Sequence, residues 1–233
     1  MKIKILGTRG EIDPSAPYHS RHSGVLIDEI LELDMGEKEF LKLHPQWILI
    51  THLHPDHAFF VREPHTSFSV ERTKIYAPEK FDGSMEVIPL VKPIQLDDYK
   101  ITPIPTHHSH KVASQAYLIE KNQQKILYTG DMIWIDKKYH RLLKGTQLII
   151  TEASFIHKGG FIKKHPLSGK LYGHNGLPNL IQLFSPFTPH LLLVHFGSWF
   201  YNNISESRKL IKKLGREHQL RIDVGYDGME LNL

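Results

Sequence analysis

The sequence predicts an α/β protein in which short strands outnumber helices and pack as a sandwich of two sheets. Three observations carry this expectation. Short apolar runs recur along the 233-residue chain, punctuated by Gly, Pro and charged residues. Four of those runs are continuous rather than alternating, which is the pattern of strands buried on both faces. Helical periodicity is confined to two segments in the last third of the chain. No linker or low-complexity tract divides the sequence, so a single domain spanning residues 1–233 is expected. Its two halves read alike, each a set of strands followed by a helix.

Taken in order, Lys2–Leu6, Val25–Ile27 and Ile30–Leu33 are separated by glycines and charges and should open the fold as an antiparallel sheet. Trp47–Thr51 is the first continuous apolar run. Lys125–Thr129, Leu148–Thr151 and Leu191–Val194 repeat it. Each of the four is followed at once by a residue able to bind a metal or a proton: His52, Asp131 (after Gly130), Glu152 and His195. Ligands gather beyond the carboxyl ends of strands, so a common sheet end would place all four around one cleft. Helices are expected at Pro178–Phe184 and Glu206–His218. The second carries Leu210, Ile211 and Leu214 on one side, and its basic run Lys209–Arg216 reads as a solvated face rather than a nucleic-acid patch.

Composition narrows the chemistry. Hydrophobic residues at 40% and charged residues at 23% are ordinary for a globular protein. The absence of cysteine excludes disulfide scaffolds, thiolate zinc sites, iron–sulfur clusters and cysteine nucleophiles. Seventeen histidines beside 25 acidic residues point instead to nitrogen-and-oxygen metal ligation. A formal charge of +4 suits an anionic substrate, phosphate included, without the basic stripe that argues for nucleic acid by itself. The start, Met1–Gly7, is charged and turns at glycine, and no apolar run approaches bilayer length. A soluble, cytoplasmic protein with no membrane partner is therefore the expectation.

Residues 51–57 read Thr-His-Leu-His-Pro-Asp-His. An extended segment presents His52 and His54 on one face, where both can bind one cation. Pro55 then turns the chain and aims Asp56 and His57 at a neighbouring position. Two donor groups this close suit two divalent ions held roughly 3.5–4 Å apart. Residues 104–110, Ile-Pro-Thr-His-His-Ser-His, offer further imidazoles at His107, His108 and His110.

His52-x-His54-x-Asp56-His57, a later lone histidine, Gly130-Asp131 and His195 together resemble the metallo-β-lactamase-fold hydrolases over nearly the whole chain. The resemblance implies a four-layer αββα sandwich with a dinuclear metal centre at one edge. Position by position, it implies His52 and His54 as ligands of the first ion and Asp56, His57 and His195 as ligands of the second, with Asp131 bridging them. The family places the remaining ligand of the first ion three residues after a proline and just before Ser or Thr, which selects His108. Counting back from Tyr117 would select His110. Zinc is the first candidate for both ions, with manganese or iron as alternatives.

Leu148-Ile-Ile-Thr-Glu152-Ala-Ser-Phe, Gly173-His174-Asn175-Gly176 and His195-Phe-Gly-Ser resemble the phosphodiesterase and ribonuclease Z side of that superfamily. There a strand-end glutamate orients a histidine from a following helix start, and the histidine touches the scissile phosphate. The residue chemistry agrees: Glu152 can fix the tautomer of His174 and raise its basicity, leaving it able to donate to a leaving oxygen. Asp56, Glu152 and His174 are the candidate catalytic residues.

Departures set limits. No segment is long enough for the flexible arm that holds transfer RNA, His-x-Thr is replaced by His174-Asn175-Gly176, and Ser-x-Arg-Tyr by Phe196-Gly197-Ser198-Trp199. These departures count against transfer RNA processing, and the expected substrate is a small-molecule or nucleic-acid phosphodiester. Histidine at position 54, where the di-iron reductases carry glutamate, argues against redox use. Carbonyl-ester hydrolysis of the lactonase, thioesterase or glyoxalase type is the alternative, and a non-catalytic nucleotide- or RNA-binding relative is another. A homodimer is compatible with the resemblance. The early loop with Arg9, Gly10, His19, Arg21 and His22 is a candidate to reach over the cleft, whereas Phe196, Trp199, Phe200 and Tyr201 are expected chiefly to pack behind it.

Overall fold

The computed structural model describes residues 1–68 and 72–233. Strands β1 (Lys2–Gly7), β2 (Gly24–Ile27), β3 (Leu31–Met35), β4 (Trp47–Leu49), β5 (Lys74–Ala77) and β6 (Ile88–Pro89) lie in chain order across a first sheet. The first three run antiparallel, as expected of the opening, and the sheet turns parallel from β3 onward. A second sheet is formed by β7 (Ile94–Leu96), β8 (Tyr99–His107), β9 (Gln115–Lys121), β10 (Gln124–Tyr128), β11 (Trp134–Ile135), β12 (Leu148–Ala153), β15 (His190–Phe196) and β16 (Arg221–Val224). Between its last members, β13 (Phe161–Lys164) and β14 (Leu171–His174) form a separate hairpin, and β17 (Glu230–Asn232) returns to pair with β1. β10, β12, β15 and β16 are mutually parallel, so they share a carboxyl end.

The continuous apolar runs are explained by burial on two faces. Ile126 and Tyr128 of β10, Leu148 and Ile150 of β12, and Leu192 and Val194 of β15 face the core between the sheets. Their alternating neighbours Leu127, Ile149, Leu191 and Leu193 face outward into a second core. That core is roofed by α2 (Leu177–Phe184) and α4 (Ile204–Glu217); α1 (His140–Leu143) and α3 (Ser198–Asn202) are short turns of helix. At roughly 1.5–3 kcal/mol for each fully buried aliphatic side chain, these two layers supply most of the favourable free energy of folding.

Both predicted helices form. α2 places Pro178 in its first turn, where its missing N–H costs nothing, and α4 is capped by Asn203, whose Oδ1 accepts from Glu206 N at 3.2 Å. Ile211 is buried beneath α4, but Leu210 is 40% exposed, so the buried stripe is narrower than the sequence suggested. The outer face of the first sheet is covered differently. Leu26, Ile48, Ile50 and Ile75 pack under Phe40, Phe59 and Phe60, which stand on two 3₁₀ helices, Lys38–Leu43 and Phe59–Arg62. The four layers of the sandwich are present, with 3₁₀ turns and loops forming the outermost one on this side. Among the described residues, no helix is long and apolar enough to cross a membrane.

Candidate metal centre

The carboxyl ends of β4, β10, β12 and β15 meet at one edge of the sandwich. Gln115 N donates to Thr51 O at 3.0 Å and ties the two sheets together there. His52 Nε2 and His108 Nε2 lie 3.0 and 3.3 Å from His54 Nδ1. Nitrogens bonded to one tetrahedral ion at roughly 2.0–2.1 Å are held about this far apart. A second set is Asp56, His57, Asp131 and His195. Asp56 Oδ2 stands 2.9 Å from His195 Nε2, and Asp131 Oδ2 stands 3.3 Å from His57 Nε2. Asp131 Oδ2 is also 3.8 Å from the Nε2 atoms of His52 and His108, which puts this carboxylate between the two sets.

Local backbone geometry explains the convergence. Gly130 has φ +56°, and a Cβ there would lie 2.5 Å from Thr51 Oγ1, so only glycine lets Asp131 approach the loop carrying His52. At β15 the register with β12 slips between Glu152/Val194 and Ala153/Phe196, leaving His195 as the extra residue of a bulge with φ 50°. Such a bulge re-aims the side chain, here toward the second set. On β8, His107 is still paired with Trp134, stacks on it at 4.3 Å and meets Asp136 at 2.9 Å. His108 is the first residue past the strand. His110 lies further out, stacked on His165 at 4.6 Å. The structure thus brings His108 to the first set and leaves His107 and His110 outside it.

The donor atoms are fixed from behind. His57 Nδ1 donates to Asp34 Oδ2 at 2.7 Å, His108 Nδ1 to Gly173 O at 2.9 Å, and His195 Nδ1 lies 3.0 Å from Ser154 Oγ. Anchors of this kind choose the tautomer and orientation of a ligating imidazole. Electrostatics separates the two sets. Burial, and then the neighbouring imidazoles, holds His52 and His108 below the usual histidine range and lowers His54 to about 4, leaving lone pairs free for a cation. In the second set burial opposes charging of His57 and His195, yet Asp131 and Asp56 outweigh it and raise both. Among the described residues, the buried His57 Nε2 and Asp131 Oδ1 have no hydrogen-bond partner. Converging nitrogens, two ionised carboxylates and unpartnered inward-facing donors fit divalent metal ions.

Residues 36–196 match the beta-lactamase superfamily domain. The chain belongs to that superfamily. No curated protein matches the sequence. Among solved structures it is similar to a metallo-beta-lactamase fold protein, YhfI, from Bacillus subtilis, at 17% identity and a TM-score of 0.71, covering 99% of this chain and 98% of that one. A diphosphatase from the PhnP family is similar at 17% identity and a TM-score of 0.67, covering 100% and 97% of the two chains. Human tRNase Z, short form (ELAC1), is similar at 16% identity and a TM-score of 0.63, covering 100% and 99%. The fold of this superfamily member is therefore the metallo-β-lactamase fold.

Beside the two donor sets, Glu152 and His174 meet as the sequence suggested. Glu152 Oε1 accepts from Met132 N at 2.7 Å, and Oε2 accepts from His174 Nδ1 at 2.8 Å. His174 ends β14, two residues before the N-cap of α2, and its Nδ1 lies 3.8 Å from Asp131 Oδ2. Burial pulls this imidazole down, but Glu152 and Asp131 outweigh it and hold it at about 9. A cavity of about 640 Å³ opens over the metal-donor residues and is lined by His174, Phe155, Phe161, Tyr172 and Trp199 among others.

Of the early loop, Gly10 reaches this cavity, and a Cβ there would stand 2.9 Å from the His195 ring. Arg9, His19 and His22 bind the loop down through Ile12 O, Thr8 and Glu37. Phe196 and Phe200 stack at 4.0 Å in the core, as expected, while Trp199 lines the cavity. Three contributors were not read from the sequence. Asp34 directly follows the predicted strand Ile30–Leu33, as the four recognised residues follow theirs, so the same signal would have found it. Ser154 carried no signal. The hairpin was marked by Pro166 to Gly169, a turn between two short runs holding Phe161 and Tyr172.

Proposed function

We infer that the protein is a metal-dependent hydrolase acting on phosphodiesters. The single observation that carries this reading is the Glu152–His174 pair standing beside the metal-donor sets at the cavity floor. His52, His54 and His108 would hold one divalent ion and Asp56, His57 and His195 a second, with Asp131 shared. Zinc is the first candidate, since it accepts imidazole and carboxylate together. Two such ions would lower the pKa of water toward roughly 7 and neutralise charge developing on phosphate oxygens.

This chain's own residues supply the rest. With Nδ1 committed to Glu152, His174 presents Nε2 to the cavity. A protonated imidazole there can bind a phosphate oxygen and pass its proton to the leaving oxygen as the P–O bond breaks. Glu152 keeps that imidazole basic and pointed at the cavity. Asp56, 2.9 Å from His195 Nε2, holds a ligand geometry and negative charge rather than a proton.

The test uses metal-loaded protein and two substrates, bis(p-nitrophenyl) phosphate and p-nitrophenyl acetate. Phosphodiester turnover is expected, and His174→Ala should lower it by about 10²- to 10⁴-fold while leaving acetate turnover unchanged. Absence of phosphodiester turnover, with acetate cleaved, would replace this reading with carbonyl-ester hydrolysis.

A further inference from the structure

The hairpin β13–β14 has no place in the sandwich, yet its base carries His174. Its register pairs Phe161 with His174 and Lys163 with Tyr172, so these four residues share one face of the ribbon. Phe161, Tyr172 and His174 all line the cavity. The rings there are ordered. Phe161 stacks on Phe155 at 5.9 Å and 14°, Phe155 lies 5.9 Å from His174, and Tyr172 packs on His110 at 4.4 Å. Phe161 is 42% exposed, an apolar ring left open to solvent beside the cavity.

Charge on this wall is of one sign. Residues 153–177 contain Lys158, Lys163, Lys164 and Lys170 and no acidic residue, and residues 104–114 contain Lys111 and none either. The carboxylates lining the cavity are Asp56 and Asp131, in the metal-donor sets, and Glu11, which is paired with Arg62. An aromatic wall beside the proton donor, with Lys111 lining the same cavity, selects a planar ring that brings negative charge with it.

We propose that Phe161 and Tyr172 form a subsite for the leaving group, which carries a planar ring, and that Lys111 binds a further anionic substituent on it. The assignment rests on the phosphodiester reading, because His174 marks the leaving-group side only if it protonates the leaving oxygen. A cavity of about 640 Å³ has room for a ring, a sugar-sized spacer and the scissile phosphate, within the roughly 300–1,000 Å³ usual for small-ligand sites.

Binding of substrate fragments, each a phosphate still joined to the ring-bearing leaving group, tests this separately from turnover. On metal-loaded protein, calorimetry would compare ribose 5-phosphate, adenosine 5′-monophosphate and adenosine 3′,5′-bisphosphate. The base should tighten binding about tenfold or more over ribose phosphate, as stacking does elsewhere. A Phe161→Ala/Tyr172→Ala variant should abolish that ratio while keeping ribose phosphate affinity and metal content. Lys111→Ala should remove the advantage of the bisphosphate over the monophosphate. Equal affinities for ribose phosphate and adenosine monophosphate, or a ratio that survives the double variant, would overturn the subsite. Failure of the phosphodiester reading shows differently, as absent phosphodiester turnover whatever the binding ratio.

Discussion

Asp34 organises the metal-donor loop without facing the cavity. Its Oδ1 accepts from Thr51 N at 2.6 Å, and its Oδ2 accepts from Thr51 Oγ1 at 2.9 Å, His57 Nδ1 at 2.7 Å and Tyr128 O–H at 2.8 Å. One fully buried carboxylate thereby fixes the His57 ring and joins β3 to β10 across the core. Loss of a carboxylate that orients a ligating histidine typically weakens metal binding about 10- to 100-fold. Asp34→Asn is therefore expected to weaken ion binding at the proposed second site, which holds His57, by that factor and to leave the proposed first site unchanged, as read by chelator competition. Unchanged affinity for both ions would show that Asp34 serves the fold alone. Four strand-ending residues were legible as site candidates because strand ends in parallel sheets face one edge. Asp34 follows the apolar run Ile30–Leu33 likewise, but its task depends on partners 17, 23 and 94 residues away, which no local pattern displays.

At the level of elements, the strands were legible wherever both faces are buried. β10, β12 and β15 read as continuous apolar runs because alternate residues enter two different cores. The strands of the hairpin, unlike its Pro166–Gly169 turn, were not legible for the opposite reason. Phe161–Lys164 is exposed along its whole length, so it shows neither alternation nor a buried run. The choice among His107, His108 and His110 turned on where β8 stops, and strand ends are less visible in sequence than strand centres. Pairing of His107 with Trp134 extends the strand one residue beyond the point where Thr106 would end it, and that delivers His108 to the first set. The bulge at His195 is a further feature beyond sequence reading, since it arises from a one-residue slip between β12 and β15. The outer layer on the first sheet resisted prediction because Phe40, Phe59 and Phe60 cover it from segments of four to six residues, too short for helical periodicity.

Across the whole molecule, the first and last segments are tied together at a single buried histidine. His19 lies 3.0 Å from Thr8 Oγ1 through Nδ1, and its Nε2 accepts from Arg208 Nη2 at 3.0 Å. Asp227 accepts from Thr8 Oγ1, Ser20 N and Arg21 N beside it. Burial, reinforced by the Arg208 guanidinium, lowers His19 from 6.5 to about 4. The folded protein thus keeps this ring neutral where the unfolded chain protonates it. Stability from this contact is complete above pH 6.5 and is lost as pH falls toward 4. Denaturant titrations across that window should show a shallower decline for His19→Gln than for the parent protein. Identical slopes would remove His19 from the account.

The central claim is that one sheet edge holds two adjacent divalent-ion sites sharing Asp131. Elemental analysis by mass spectrometry, on protein equilibrated with zinc and then desalted, tests it most directly. Two ions per chain are expected for the parent protein, falling to one when His57 and His195 are both replaced by alanine in a chain that keeps its circular dichroism spectrum. A parent protein that retains a single ion, or none, would contradict the dinuclear account.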